Sequence, residues 1–327
     1  MRPPKHIVLS RTDSIGDVIL TLPMAAYLKS FFPEVRISFL GRSYTKAVIE
    51  ACPYIDAFIE KETFLKQRLT DLPDAIVHVF PDAAIARRAR QLGIPARIGT
   101  TNRLYHWWTC NKLVRLSRKN SDLHEAQLNI KLLQPFGIPT EVSLSELNDL
   151  VCLVPQVALP ESLIALLDGS RPKMILHPKS QGSAREWGLE SFETLARLLH
   201  QNGYQVFISG TEAERAALQP LTDALNGVAD SIVGAMNLDT FIAFINACDG
   251  LVAASTGPLH IAAALGKKAV GIYPPIRPMH PGRWAPIGVQ ATALAVDAPC
   301  ENCRTAPHDC TCMQAIRPED VFQVLQR

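Results

Sequence analysis

Asp17 is the residue whose type and position best suit acid–base chemistry. It ends the stretch R-T-D-S-I-G-D, which directly follows an apolar run, residues 6–10, with the composition of a buried strand. Ligands of open α/β sheets bind beyond the carboxyl ends of strands, and a carboxylate there can accept a proton from a sugar hydroxyl. The alternative is structural: Asp13 or Ser14 caps a helix, and the helix dipole favours Asp17 in its first turn. The residues alone leave both interpretations open.

Two segments in the second half of the chain suit an anion. The stretch S-T-G-P-L-H, residues 255–260, follows the apolar run 250–254. A helix beginning near Pro258 leaves N–H groups between Thr256 and Leu259 without helical partners, and such donors favour a negatively charged ligand. The loop P-K-S-Q-G-S-A-R-E-W, residues 178–187, follows another apolar run and carries Lys179 and Arg185. Arginine can bind a phosphate through two hydrogen bonds, so we expect both segments to face one phosphate-bearing ligand.

Neither segment is a known nucleotide motif when taken alone. The 178–187 loop is not a Walker A loop, and no G-x-G-x-x-G sequence follows a predicted strand. His260 has two interpretations, as a buried helix histidine or as a donor to phosphate. The prediction therefore depends on both segments meeting at one site.

A cysteine cluster near the C-terminus has the spacing of a metal site. Four of the eight cysteines follow the pattern C-x2-C-x6-C-x-C, with His308 inside it. The number of ligands suits tetrahedral zinc or iron, which would stabilise a short loop. Ordinary thiols or a disulfide pair are the alternative, and the C-x-C spacing is unusual for a zinc knuckle. The candidate ligands are Cys300, Cys303, Cys310 and Cys312.

Positive charge is concentrated in one segment of the chain. The 327 residues carry a net charge of only +2, yet residues 83–121 contain nine lysines and arginines and no acid. Aromatic residues, including Trp107 and Trp108, are interspersed among them. A solvated helix face and loop would explain the composition, but the absence of acids over this length favours an anionic partner.

The candidate sites must be positioned by a fold in which short apolar strands alternate with helices. This alternation predicts parallel sheets, and the length predicts two domains, residues 1–150 and 151–327, as Rossmann-like units facing across a cleft. The polar stretch 137–149 is predicted to link them. The predicted strands are 6–10, 35–40, 56–59, 75–79, 97–99, 174–177, 205–209, 231–233, 250–254 and 269–273. The main predicted helices are 121–136, 189–201, 212–225, 238–247, 258–265 and 317–326.

The sequence contains no run of 18 apolar residues, and its N-terminal residues lack the apolar core of a signal peptide. We therefore expect a cytoplasmic protein.

Four segments together resemble glycosyltransferase family 9, the lipopolysaccharide heptosyltransferases. They are G16-D17-V-I-L-T-L-P, H177-P-K-S-Q-G-S-A-R-E-W187, S255-T-G-P-L-H-I-A-A-A-L-G266 and C312-M-Q-A-I-R-P-E-D-V321, in this order and spacing. The resemblance covers nearly the whole chain. It implies an α/β protein of the GT-B fold, with an N-terminal acceptor domain and a C-terminal nucleotide-sugar domain. It also implies inverting transfer that needs no metal for the chemistry.

The resemblance also implies roles for individual residues. Asp17 is the expected catalytic base, and Arg185 is the expected cation that neutralises the departing diphosphate. The resemblance also implies a set of residues that bind the nucleotide-sugar donor. Glu212 or Glu214 is expected to bind the ribose, and Met236 to lie on the base. The other expected donor-binding residues are Lys179, Ser180, Ser255, Thr256, Gly257, Pro258, Leu259 and His260. One departure concerns Ser255, where heptosyltransferases commonly carry an aspartate associated with the donor sugar.

The expected function is therefore transfer of a heptose or similar sugar from a nucleotide diphosphate sugar, ADP-heptose first, to a lipopolysaccharide core or another surface glycan. The expected partners are the nucleotide-sugar donor and an anionic glycolipid acceptor, with peripheral contact to the inner membrane and no nucleic acid. The alternatives are a catalytically silent nucleotide-sugar-binding protein and a protein heptosyltransferase, a group that uses such a cysteine cluster for iron. A non-hydrolysing epimerase is disfavoured because the first domain shows no acid/base pair beyond Asp17.

Overall fold

The computed structural model describes residues 3–67, 71–167, 169–305 and 311–327. The chain divides into two compact units, Met1–Val154 and Pro155–Arg327. Each unit contains a six-stranded sheet in which all strand pairs are parallel. The predicted α/β class with two parallel sheets is thus confirmed, whereas the roles assigned to the two domains stay predictions.

The first sheet has the strand order β3-β2-β1-β4-β5-β6. Its central strand β1 is buried over its full length, as expected for an apolar strand covered on both faces. The order reverses between β1 and β4, which is the place where open α/β sheets bind ligands. The strands are β1 His6–Ser10, β2 Arg36–Gly41, β3 Ala57–Glu60, β4 Ala75–His78, β5 Ala96–Thr100 and β6 Lys112–Val114.

The second sheet has the strand order β12-β11-β10-β7-β8-β9, and its order reverses between β7 and β10. These two strands are direct neighbours, with Ala253 of β10 opposite His177 of β7. The segments that follow them therefore leave the sheet side by side. The strands are β7 Lys173–His177, β8 Gln205–Ile208, β9 Asp230–Ser231, β10 Gly250–Ala254, β11 Lys268–Ile272 and β12 Ala291–Leu294.

Helices connect the strands in both units. In the first unit they are α1 Ile15–Ile19, α2 Pro23–Phe31, α3 Lys46–Glu50, α4 Lys61–Lys66, α5 Ala83–Gln91, α6 His106–Thr109, α7 Glu125–Lys131 and α8 Leu144–Leu150. In the second they are α9 Glu161–Ile164, α10 Leu189–Gln201, α11 Arg215–Ala224, α12 Leu238–Ala247, α13 Gly257–Ala264, α14 Pro281–Trp284, α15 Asn302–Thr305 and α16 Pro318–Leu325. Within the described part of the chain, no helix combines the length and apolar character needed to cross a membrane.

Several sequence predictions differ from the structure, among them the helix predicted over 212–225, where α11 begins at Arg215, and the strand predicted over 231–233, where β9 is Asp230–Ser231. The helix expected over 121–136 begins only at Glu125, because the His124 side chain and Gln127 form a capping box there. The stretch 137–149, predicted as a linker, contains most of α8, which Ser143 and Glu146 cap in the same way. The sequence did not predict edge strands β6 and β12, which are partly exposed, unlike the fully buried central strands.

Candidate active site

Asp17 lies in the first turn of α1, just beyond the carboxyl end of β1. Its Oδ1 accepts a hydrogen bond from Nη2 of Arg11, and its Oδ2 accepts one from the Ser14 hydroxyl. Ser14 is the N-cap of α1 and accepts the Asp17 N–H at 3.5 Å. The capping interpretation is therefore correct, and it is compatible with the functional one. The cap fixes a carboxylate at the point where the strand order of the first sheet reverses.

Arg11 is a residue of this site that the sequence reasoning missed. It is 3% exposed, and its guanidinium binds Asp13 Oδ1 at 2.8 Å and Glu125 Oε1 at 2.9 Å as well as Asp17. Burial opposes the charged form, but the surrounding carboxylates, Asp17 first, raise the pKa of Arg11. The signal in the sequence was a cation directly after a strand, but Glu125 follows it by 114 positions.

A second arginine completes this buried network. Nε of Arg118 donates to Glu125 Oε1 at 2.9 Å, and its Nη2 donates to Asn129 Oδ1 at 2.8 Å. Asn129 Nδ2 in turn donates to the carbonyl of Leu20, the C-cap residue of α1, at 3.0 Å. Helix α7 is thereby joined to both ends of α1. These contacts hold Asp17 in a fixed orientation.

The predicted donor residues follow neighbouring strands at one edge of the second sheet. Lys179, Ser180 and Arg185 follow β7, and residues 255–260 follow β10 beside it. Glu212 follows β8 and Met236 follows β9, on the other side of β7. All these strands are parallel, so their carboxyl ends lie at the same edge of the sheet. The structure thus places both anion-suited segments where the strand order reverses.

Internal contacts shape the loop after β7. Lys179 forms an ion pair with Glu186, whose Oε1 also accepts the Ser180 N–H at 3.0 Å. Gln181 and Gly182 have φ values of 50° and 77°, so the backbone turns through the left-handed region there. Nη2 of Arg185 donates to the backbone carbonyl of Cys303. Glu186 was not predicted, and it compensates the charge of Lys179 within the loop.

Helix α13 begins after Thr256, its N-cap, whose side chain makes no capping hydrogen bond. Pro258 has no backbone N–H and cannot donate a hydrogen bond. The N–H groups of the first turn therefore come from Gly257 and Leu259. The Leu259 side chain is fully buried in the core. His260 is 3% exposed, so its ring belongs to the interior of the second unit.

Ser255 is half-buried directly after β10 and precedes Thr256, the N-cap of α13. Tyr273, which follows the neighbouring strand β11, is fully buried, and its hydroxyl donates to the Trp284 carbonyl at 2.7 Å. Burial raises the pKa of Tyr273, so the phenol stays protonated near neutral pH. The residue that departs from the family pattern thus lies immediately before the start of α13.

The two acids offered for the ribose differ in environment. Glu214 is 7% exposed and accepts hydrogen bonds from the N–H and hydroxyl of Thr211, at 2.9 and 2.8 Å, as a capping residue. Glu212 is exposed, and its hydrogen bonds to Arg215 lower its pKa. Its carboxylate lies directly against Gly234, and Met236 is half-buried two residues later. Of the two acids, only Glu212 has an accessible carboxylate.

The described cysteines of the C-terminal cluster come together. The sulfur atoms of Cys300, Cys303 and Cys312 all lie within 4.8 Å of one another. The Sγ atoms of Cys303 and Cys312 are 3.2 Å apart, and those of Cys300 and Cys303 are 3.6 Å apart. Cys310, the fourth predicted ligand, and His308 lie outside the described residues.

The acid-free segment 83–121 is divided between internal and surface roles. Arg88, Arg90 and Arg97 donate to backbone carbonyls of the first unit, and Arg118 binds Glu125. Arg90 is itself exposed, and so are the other five cations: Arg87, Arg103, Lys112, Arg115 and Lys119. Beside them Leu104, Trp107 and Trp108 are 78%, 60% and 57% exposed. Neither interpretation predicted the internal contacts of the first four cations, and the exposed five are compatible with both.

Known proteins are similar to this chain in sequence. Residues 83–313 match the family described as glycosyltransferase family 9 (heptosyltransferase). The lipopolysaccharide core heptosyltransferase OpsX of Haemophilus influenzae is 22% identical over 287 residues, 83% of this chain and 79% of the relative. Lipopolysaccharide heptosyltransferase 2 of Escherichia coli is 31% identical over 117 residues, 34% of each chain.

Solved structures show the same fold. The E. coli ADP-heptose lipopolysaccharide heptosyltransferase II has a TM-score of 0.74 at 20% identity, over 98% of this chain and 97% of that one. The iron-containing dodecameric glycosyltransferase TibC of enterotoxigenic E. coli has a TM-score of 0.60 at 12% identity, over 100% of this chain and 76% of that one. These likenesses establish the GT-B fold. The family match covers more than half of the sequence. The protein accordingly belongs to glycosyltransferase family 9, the heptosyltransferases, and is a glycosyltransferase.

Proposed function

We propose that the protein is an inverting glycosyltransferase that moves a heptose or similar sugar from a nucleoside diphosphate donor, ADP-heptose first, to a lipopolysaccharide core or similar glycan. One observation carries the proposal. The 178–187 loop and the start of α13 leave the second sheet side by side where its strand order reverses. That edge is where dinucleotides and related phosphates bind in such sheets.

The donor diphosphate would lie between these two segments. The N–H groups of Gly257 and Leu259 at the start of α13 would donate hydrogen bonds to the diphosphate. The positive end of the helix dipole also favours negative charge at this point. Arg185 would supply a planar cation for the terminal phosphate, and the buried Ser180 hydroxyl, which donates to the Ala184 carbonyl at 2.9 Å, supports the fold of the loop. On the far side of β7, Glu212 would bind the ribose hydroxyls and Met236 would contact the base.

Asp17 would act as the general base in one displacement step. The acceptor hydroxyl oxygen bonds to the anomeric carbon while the bond from that carbon to the phosphate oxygen breaks. The hydroxyl proton passes to Asp17, and the nucleoside diphosphate leaves with the bonding electron pair, stabilised by Arg185. Attack from the side opposite the leaving group inverts the anomeric centre. Arg11 and Ser14 occupy one position on each carboxylate oxygen, and further lone pairs stay available for the proton.

The acceptor would meet the exposed part of segment 83–121. The five exposed cations of this segment whose side chains make no described hydrogen bond or ion pair, Arg87, Arg103, Lys112, Arg115 and Lys119, would attract the phosphates and carboxylates of a glycolipid. Trp107 and Trp108 are residues that favour the interface between water and a lipid surface. We therefore include peripheral contact with an anionic membrane in the proposal.

A structural metal ion at the cysteine cluster is part of the same proposal. In a tetrahedral site with metal–sulfur bonds of about 2.3 Å, the sulfur atoms lie roughly 3.8 Å apart. The observed separations of 3.2 and 3.6 Å come close to that geometry, and the sulfurs pack against buried Ile276. Cys300, Cys303 and Cys312 would hold zinc or iron, which would stabilise the loop and take no part in sugar transfer. The similarity in fold to the iron-containing glycosyltransferase TibC supports iron as a candidate for this metal ion.

A ligand and activity panel tests the proposed function. Thermal unfolding with ADP, UDP, GDP and CMP identifies the nucleotide, since a ligand at 100 times its dissociation constant stabilises by about 2.7 kcal/mol. The matching nucleotide sugar, ADP-heptose first, is then assayed for transfer to lipid A core and to a peptide. Stabilisation followed by transfer to the glycolipid supports the proposal. Binding without any turnover would instead indicate a silent binder, and transfer to the peptide a protein heptosyltransferase.

A further inference from the structure

Two hydrogen bonds fasten the donor loop 178–187 to the segment that contains the cysteine cluster. Nη2 of Arg185 donates to the carbonyl of Cys303, 118 positions later. Nε1 of Trp187 donates to the carbonyl of Ile316 at 2.8 Å. Trp187 is fully buried and shares an apolar cluster with Met313 and Ile316. The loop that carries the proposed diphosphate cation thus depends for its position on Cys303 and on residues 313–316.

The cysteine cluster in turn holds Cys303 in place. The Cys300 N–H donates to Cys312 Sγ at 3.1 Å, and the Cys303 N–H donates to the Cys300 carbonyl at 3.2 Å. The Sγ atoms of Cys303 and Cys312 lie 3.2 Å apart. Cys303 therefore has two roles, because its sulfur belongs to the cluster and its carbonyl accepts from Arg185.

We infer that the cysteine cluster positions Arg185 for the donor diphosphate. The inference assumes the role of Arg185 given under the proposed function. A guanidinium carries five N–H groups in a fixed plane, so the bond to the Cys303 carbonyl helps to set the orientation of that plane in the donor loop. When a metal ion holds the sulfurs together, the carbonyl stays in place and Arg185 binds phosphate without first losing conformational freedom.

The consequence is a selective effect on phosphate binding. Opening the cluster displaces the Cys303 carbonyl, so Arg185 loses one of the contacts that orient it before the phosphate binds. The nucleoside side of the site, at Glu212 and Met236, follows β8 and β9 and makes no described hydrogen bond to residues 300–305 or 311–316. Affinity for a diphosphate should fall, while affinity for a nucleoside monophosphate changes little.

The experiment compares ADP and AMP affinities by calorimetry, with bound metal measured for each protein. The variants are Cys312→Ser, Arg185→Ala, the double variant, and the control Cys248→Ser, which alters a buried cysteine of the same unit outside the cluster. Cys312→Ser should weaken ADP binding about tenfold, as expected for a hydrogen bond to a charged group, and change AMP binding less than twofold. Arg185→Ala should do the same, the double variant should be no weaker than Arg185→Ala, and Cys248→Ser should leave both affinities unchanged.

Four outcomes overturn the inference, and one of them also removes its premise. Equal losses for ADP and AMP in Cys312→Ser would mean that the cluster only supports the fold. Additive losses in the double variant would mean that the cluster and Arg185 act separately. Unchanged ADP affinity in Cys312→Ser, with a loss in Arg185→Ala, refutes the inference and leaves the proposed function standing. Unchanged ADP affinity in Arg185→Ala refutes the role of Arg185 itself.

A second measurement covers the case in which Cys312→Ser does not fold. Wild-type protein treated with a chelator should lose ADP affinity and regain it on addition of Zn²⁺, with AMP affinity constant. The same treatment of Arg185→Ala should change neither affinity. A chelator effect of equal size in Arg185→Ala would also contradict the inference.

Discussion

At the level of single residues, the pairing of Asp17 with Arg11 determines how the proposed base works. The buried guanidinium orients one carboxylate oxygen, and the Ser14 hydroxyl orients the other. A base that needs no reorientation loses little entropy on the way to the transition state. The cost of this arrangement is a buried charge, which three carboxylates compensate.

Asp17→Asn should lower transfer at least about 100-fold, because general-base catalysis contributes that much and an amide cannot accept the proton. ADP affinity should stay within twofold, since the proposed nucleotide residues belong to the other unit. Steady-state transfer and ADP calorimetry check both expectations. The matched control is Asp13→Asn, which removes another acid from Arg11 and should cost less than tenfold. More than a tenth of wild-type activity in Asp17→Asn would exclude Asp17 as the base.

The two acids after β8 offer a second comparison at this scale. Glu212→Ala should weaken ADP binding about tenfold, because it removes the accessible carboxylate that we propose binds the ribose hydroxyls. Glu214→Ala should lower the melting temperature through loss of the cap on Thr211 and leave ADP affinity unchanged. Calorimetry and thermal unfolding separate the two. A loss of ADP affinity only in Glu214→Ala would reverse the assignment.

At the level of elements, the segment after β9 limits the space around Glu212. Gly234 has a φ of 66°, and a Cβ atom there would lie 2.0 Å from Glu212 Oε2. The flexible carboxylate would have to move away. The position of Glu212, the proposed ribose-binding acid, thus depends on a glycine in a neighbouring connection as well as on its own loop.

Gly234→Ala should therefore weaken ADP binding by roughly the same factor as Glu212→Ala, about tenfold, because it displaces the same carboxylate. Gly227→Ala is a matched control, since Gly227 has a φ of 75° and open space around the added Cβ. Both variants should lose stability by about 1 kcal/mol from backbone strain, measured by urea unfolding. Equal ADP affinities in the two variants would show that Glu212 can bind from another position.

At the level of the whole molecule, the charge distribution matters more than the net charge of +2. Four of the nine cations of segment 83–121 make contacts within the first unit. The other five cations are exposed, and they lie in the same segment as two exposed tryptophans. A basic surface with aromatic side chains attracts an anionic lipid surface over a distance set by the salt concentration.

Replacing Arg103, Lys112 and Arg115 together by Gln should reduce association with anionic liposomes by about 100-fold at low salt, at roughly 1 kcal/mol for each charge removed. The acceptor Michaelis constant should rise and its salt dependence should weaken, while ADP affinity stays unchanged. The control replaces the exposed lysines Lys5, Lys46 and Lys66 of the same unit, which gives the same change in net charge. Identical liposome binding in both triple variants would restrict the segment to a surface role.

The sequence by itself determined the alternation of strands and helices, and with it the fold. Strands β1 and β10 and helices α10 and α12 have the predicted bounds, because buried parallel strands and amphipathic helices leave strong local patterns. The same local signals located Asp17 and the start of α13 as candidates. Their catalytic and donor-binding roles came from the family resemblance and stay predictions.

Only the tertiary structure decided which side chains meet. Arg11 and Glu125 are 114 positions apart, and Arg185 and Cys303 are 118 apart, so no local pattern could indicate either contact. Four of the nine cations make contacts within the first unit, because backbone carbonyls accept hydrogen bonds from three of them and Glu125 binds Arg118. Burial likewise distinguishes Glu212, whose carboxylate is accessible, from Glu214. Composition and periodicity are local properties of a chain, whereas ion pairs and burial depend on how distant segments pack.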